Sequence, residues 1–341
     1  MGEGRCGADA ARSSATAPAA GGRRRLQVLL GLVWLADGAL QLQPSMFTKA
    51  FVQGSLLASA GGSPGFVAGP ITAVARLVEP QVALWNGAFA AVQLAIGAGL
   101  VVRRTVRPAL AASFVWSLAV WWLGEGLGGL LTGAASPVSG APGAVLLYLV
   151  VGALAWPRRE EPAEEVPPAG AGGRAGRGAR GAWAVLWVGS AALLLQPANM
   201  HGGALKVVVT SAASGEPGWL SRPLLGVASV LGGTASVVVT LALAATMVVV
   251  GLGVAAGWHE RPLRWTAVVL AGAIWVLGEA LGGVLTGSGT DPGTGPLLVL
   301  LVLGLAPARP ARPARPARPA RRRALAPAPP VPRSLGYRGG V

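Results

Sequence analysis

"WWLGEGLGGLLTG" (Trp121–Gly133) and "WVLGEALGGVLTG" (Trp275–Gly287) agree at ten of thirteen positions, and the second begins 154 residues after the first. Each holds one glutamate, Glu125 or Glu279, in an apolar setting. An acid placed within a membrane span costs about 2.5–3.5 kcal/mol on insertion scales, so its recurrence at a fixed spacing asks for an architectural account. Working outward, "WLADGALQLQP" (Trp34–Pro44) aligns with "WVGSAALLLQP" (Trp187–Pro197) at an offset of 153. Gly-rich loops follow both glutamates, "TGAASPVSGAPGAVLL" from Thr132 and "TGSGTDPGTGPLLVLL" from Thr286. Each supplies a proline, Pro142 or Pro296, suited to the first turn of a following helix. The chain reads as one unit written twice.

Composition says where that unit lives. Of 341 residues, 52% are hydrophobic and 12% charged, about half the charge of a soluble domain, which carries roughly 25%. Eight apolar runs stand out: Leu26–Gln43, Val82–Val102, Pro108–Leu131, Pro142–Trp156, Trp183–Gln196, Pro223–Ala256, Trp265–Leu285 and Pro296–Ala306. A crossing needs about 20 residues, so the fourth, fifth and eighth runs are short. The eighth is read either as re-entrant or as a span whose Arg309 snorkels to the headgroups. The expected fold class is all-α: a polytopic transmembrane bundle of about eight spans, arranged as two four-helix repeats. An even number of spans per unit makes the repeats parallel. The expected organisation is an N-terminal tail (1–25), a first repeat (26–156), a Pro/Gly/charge-rich linker (157–182), a second repeat (183–306) and a basic tail (307–341).

The formal charge of +15 by itself suggests nucleic-acid binding; the placement of the charges argues against it. With the N-terminus inside, 24 of the 28 Lys and Arg fall in cytoplasmic segments and 4 outside, which orients the chain with both termini in the cytoplasm. The plasma membrane is the expected location. The "ARPARPARPARPARRR" tail has proline every third residue and reads as extended, with anionic lipid as its expected partner. The single cysteine, Cys6, permits no internal disulfide or thiolate metal site. The two histidines, His201 and His259, lie outside the apolar runs, which excludes a bis-histidine haem in the bilayer. No cofactor or metal is expected.

Polar residues inside the spans are the candidate functional groups. Asp37 and Glu125 each lie six residues from the outer end of their runs, about 9 Å deep at 1.5 Å per residue. Gln41 is one turn beyond Asp37; Asn86 enters span 2 near the same level, and Gln93 lies deeper. Together they predict an outward-facing polar pocket of Asp37, Gln41, Asn86, Gln93 and Glu125, ringed by Trp34, Trp85, Trp121 and Trp122. In the second unit the counterparts of Asp37, Gln41, Asn86 and Gln93 are Ser190, Leu194, Thr240 and Met247, leaving Glu279 as its acid and the first unit as the working one. Gly124 and Gly128, with Gly278 and Gly282, offer the competing explanation. They form small-xxx-small faces for helix packing, between which a protonated glutamate would donate to a backbone carbonyl as a clamp. Trp156, Trp183, Trp219 and Trp258 read as interfacial anchors. Met46–Gly62 reads as an amphipathic segment that lies on the membrane or caps the pocket.

"LLGLVWLADGALQLQPSMFTKAF" resembles the opening of the DoxX-like small four-span membrane proteins, in its apolar "LLGLxWLxxG" helix followed by a polar position, a proline and a phenylalanine segment. The resemblance covers the first span and the four-span count of each half. It implies association with a respiratory or redox complex and no transferable catalytic residues. "LGEGLGGLLTG" and "SPVSGAPGAVLL" resemble a group of actinobacterial membrane proteins.

No nucleophile–base pair, metal cluster or phosphate loop is visible, and no catalytic residue is assigned. The expected function is an accessory or assembly component that packs on a membrane protein partner. The alternative is a proton- or cation-coupled small-molecule transporter using Asp37 and Glu125.

Overall fold

The computed structural model describes residues 17–157 and 174–305. Within them every regular element is helical. The order is α1 (Ala17–Leu40), α2 (Gly65–Val78), α3 (Val82–Val101), α4 (Val106–Leu123), α5 (Ala144–Ala155), α6 (Arg174–Leu194), α7 (Ala204–Ala212), α8 (Gly218–Val230), α9 (Thr234–Ala255), α10 (Glu260–Ala273) and α11 (Thr294–Leu305). A π turn, Ile274–Gly278, extends α10. Three stretches are long and apolar enough to cross a bilayer: Gly65–Val101, Arg103–Leu123 and Thr234–Ala255. Residues 1–16 of the expected N-terminal tail, the basic tail with its ARP run and most of the linker lie outside the described residues; α1 begins at Ala17, inside the expected N-terminal tail, and α6 at Arg174, ahead of the expected start of the second repeat.

The most extensive helix–helix packing joins α1 to α3 and α6 to α9. Glycine decides the first. A Cβ on Gly31 would lie 2.9 Å from the Gly97 carbonyl oxygen, and one on Gly97 would lie 2.8 Å from the Gly31 oxygen. The two backbones therefore touch, as small residues allow. We expect Gly31→Val to lower stability by about 1–3 kcal/mol through overpacking. Gly226→Ala, where nothing lies within 4 Å of the added carbon, should leave the thermal midpoint in detergent unmoved. At the far end of the pair, the Arg24 guanidinium donates to the Leu100 carbonyl at 3.0 Å and to that of Val101, placing a cation on the C-terminal dipole of α3.

One apolar core spans both halves. It joins Leu30, Trp34, Leu100 and Leu147 to Trp183, Leu194, Met247, Leu270 and Leu301. Trp183, expected at the interface, is buried in this core and donates to the Val250 carbonyl at 3.0 Å. The Met46–Gly62 segment is helical over Lys49–Leu57 and buries Met46, Phe51, Val52 and Leu56 against Ala75, Val78 and Val82. Its apolar face is thus covered by protein.

Three expected runs are interrupted. The sixth divides into α8 and α9 around Gly233, whose φ is +56°. The third stops at Leu123, and a 3-10 turn at Gly126–Gly129 follows with Leu127 and Gly128 left-handed. In the seventh, Ala280–Gly283 does the same with Leu281 and Gly282. The "GEGLGG" and "GEALGG" sequences thus break the helix. None of Gly124, Gly128, Gly278 and Gly282 meets a second long helix: Gly128 admits the Pro142 carbonyl, Gly278 that of Val138 and Gly282 the Pro292 backbone, while a Cβ on Gly124 would meet only Val120 of its own helix. Helices α5 and α11 hold 12 residues each, about 18 Å at 1.5 Å per residue.

At the seam, α5 packs on α11 and α1 on α11. The loops after the two glutamates cross it in opposite directions. Asn199, following α6, donates to Ala135 of the first loop at 2.8 Å. Gln43 and Ser45, following α1, donate to Gly289 at 3.3 Å and to Gly287 of the second loop.

Candidate functional site

The two glutamates do one local job. Glu125 Oε1 accepts from the Val145 amide at 3.3 Å, in the first turn of α5. Glu279 Oε2 accepts from the Thr294 amide at 2.9 Å, at the start of α11, and its Oε1 accepts from the Thr294 hydroxyl. Four residues earlier a tryptophan holds the same loop: Trp121 Nε1 donates to the Pro142 carbonyl at 2.8 Å, and Trp275 Nε1 to that of Pro292 at 2.6 Å. Each repeated motif therefore grips a Pro-Gly step and caps the helix beyond it. A helix N-terminus leaves amides unpaired and favours negative charge. The expected clamp, a protonated glutamate donating to a carbonyl, is corrected: the carboxyl is the acceptor. Pro292, not Pro296, is the counterpart of Pro142, because Pro296 sits inside α11.

The expected single pocket resolves into separate pieces. Asn86 and Gln41 are buried and close on each other: Gln41 Nε2 donates to Asn86 Oδ1 at 2.5 Å, and Asn86 Nδ2 donates to the Gln41 carbonyl at 2.8 Å. They latch α1 to α3. Gln93 joins neither, and its Oε1 has no partner. Asp37 accepts from the Tyr148 hydroxyl at 2.5 Å. Trp34 is buried, Trp121 grips the loop, Trp85 lies near Phe89 and Trp122 is exposed.

The open volume lies at the seam. A cavity of about 400 Å³ is lined by Glu125, Glu279 and Asp291, with Ser139, Gly140, Gly143 and Thr294 among its walls. Both capped helix starts face it, one from each half. None of its lining residues is Lys, Arg or His. Among the described residues no group of three or more His, Cys, Asp or Glu has the geometry to hold a metal ion.

Asp291 was not anticipated from sequence, although the "DPG" step carries the signal: an aspartate before Pro-Gly accepts from the amide two residues on. Here Asp291 Oδ1 takes the Gly293 amide at 2.8 Å, and its Oδ2 the Thr290 hydroxyl at 3.0 Å. Burial pushes its carboxyl above the ordinary range, against the lowering effect of those two bonds. An acid whose pKa is raised on folding favours the folded state most below its unfolded value, and that advantage is lost as pH rises through the folded value. We expect Asp291→Asn, which keeps the acceptor and removes the charge, to flatten the fall in thermal midpoint as pH rises above the unfolded pKa near about 3.9. Parallel midpoint–pH curves for the two proteins would refute this assignment.

No family model, no curated protein and no solved structure matches this chain.

Proposed function

We propose that the chain is a multi-pass membrane protein of two four-span units, both termini cytoplasmic, whose seam cavity draws in a small hydrated monovalent cation from the outer side by its net negative field, without direct ligation by three carboxylates, as in a proton- or cation-coupled transporter. The cavity carries this reading. Two helix N-termini contribute about +0.5 charge each; Glu125, Glu279 and Asp291 together exceed that when ionised, and no basic side chain lines the cavity to offset them. Its volume of about 400 Å³ falls in the ordinary range for small-ligand sites.

Support for the paired units comes from the helix positions. Apart from the start of α1, adding 150 to 154 to the bounds of α1 to α5 lands on those of α6 and α8 to α11, down to the turns Gly126–Gly129 and Ala280–Gly283. Helix starts that point at a cavity between repeats face anionic groups in transporters; here they face the chain's own carboxylates, Glu125 and Glu279. Large apolar side chains project from the outer faces, Val115 on α4, Val185 on α6 and Val269 on α10 among them, as lipid contact requires.

A second reading, the non-catalytic accessory component, draws on the caps: both glutamates already hold helix starts. The two separate by titrating Na⁺, K⁺ and methylammonium into the full chain in lipid nanodiscs. Saturable binding, weakened about tenfold or more (1.4 kcal/mol) by Asp291→Asn, is the expected result. Binding of none of the three, with a membrane protein recovered in fixed ratio, would favour the accessory role.

A further inference from the structure

Two copies in one chain supply an internal control: what both keep serves architecture, and what one alone keeps is free to serve something else. Both keep Trp121 or Trp275, Glu125 or Glu279, and the Pro-Gly step. Only the first has Asp37, Tyr148 and Ser113; the matching positions are Ser190, Leu298 and Ala267. In the first half these form a connected set. Trp34 Nε1 donates to Ser113 Oγ at 3.0 Å, the Trp34 and Tyr148 rings lie 4.4 Å apart, and the Tyr148 hydroxyl donates to Asp37. In the second, Trp187 Nε1 has no partner and a void of about 20 Å³ lies between Trp187, Ser190, Met247 and Leu298.

Asp37 is 3% exposed, and its Oδ1 has no hydrogen-bond partner among the described residues. Tyr148 follows Ala144, a cavity-lining residue, by one helical turn, so the pair lies just beneath the cavity floor. The charges of Asp291 and Glu125 bear on Asp37 from the cavity side. Among the described residues no basic group faces it: α3 and α11 have no ionisable side chain, α5 has only Tyr148, and α4 has only Arg107 at its opposite end.

We propose that Asp37 is a proton-exchange site opening on the cavity, present once per chain, with Tyr148 as its positioning residue. The Asp37 carboxyl releases its proton to cavity water and becomes a carboxylate that keeps the Tyr148 hydrogen bond. A cation entering the cavity balances that charge one for one, and its departure lets the proton return. The exchange partner rests on the cation reading of the cavity; the proton site does not.

Infrared difference spectra of the full chain in nanodiscs, taken while stepping the pH, test this. The wild type should show a carboxylic acid C=O band that is lost in Asp37→Asn and shifts in frequency in Tyr148→Phe, where the hydrogen bond is gone but the fold is kept. Saturating Na⁺ or methylammonium should remove the band. A spectrum unchanged by Asp37→Asn overturns the proposal, as does a band indifferent to Tyr148→Phe. A band that behaves as expected in a protein that binds none of the cations upholds the proton site and sinks the cavity reading instead.

Discussion

Alanine at position 128 should remove most of the stability of the fold, on the order of 3–5 kcal/mol, the range reserved for severe packing or backbone faults. Gly128 has φ +64°, and an L side chain in that region costs about 1–2 kcal/mol. The larger part comes from the neighbour. A Cβ there would overlap the Pro142 carbonyl, the same group that Trp121 grips. That carbonyl cannot retreat without breaking the tryptophan bond and shifting the start of α5 away from Glu125. Gly133 is the control: its φ is +74°, and nothing lies within 4 Å of an added carbon. Gly133→Ala should therefore show only the conformational cost of about 1–2 kcal/mol. Thermal unfolding in one detergent, followed by near-ultraviolet circular dichroism, compares them; equal losses would refute the close-packing argument.

Glu279→Ala is expected to lower stability by about 2–3 kcal/mol, because it strips an amide and a hydroxyl of their acceptor at a half-buried helix start. Glu125→Ala should cost about 1 kcal/mol, since one bond at 3.3 Å is lost. Glu279→Gln keeps an acceptor and forfeits mainly the charge–dipole contribution, about 0.3–1 kcal/mol. Amide hydrogen exchange over Thr294–Leu297 gives the local readout. Faster exchange there in Glu279→Ala, largely restored in Glu279→Gln, is the expected pattern. No change in those amides would mean that the carboxyl does not cap α11.

The long apolar helices were legible because their composition is extreme, and α3 falls within a residue of its expected bounds. The ends of the third and seventh runs were not. "LGEGLGGLL" is apolar enough to read as helix, yet its glycines also permit left-handed turns, and only the loop folding back onto them decides between the two. For the same reason Asp37 and Glu125 were grouped with polar side chains to which they are not hydrogen-bonded. Depth along a run placed them level with each other, while their partners, Tyr148 and the Val145 amide, come from a helix whose rotation cannot be read from spacing. Tyr148 could have been noticed as the one ionisable side chain in "AVLLYLVVGALA". Asp291 lay hidden in a loop that is shorter than its counterpart, which pulled the alignment onto Pro296.

Because Asn199 receives the loop of the first half, and Gln43 and Ser45 that of the second, neither bundle is finished by its own residues. The bond between them is a handshake, each half reaching for the other's loop. A half expressed alone therefore presents an unfilled socket where the other half's loop should sit.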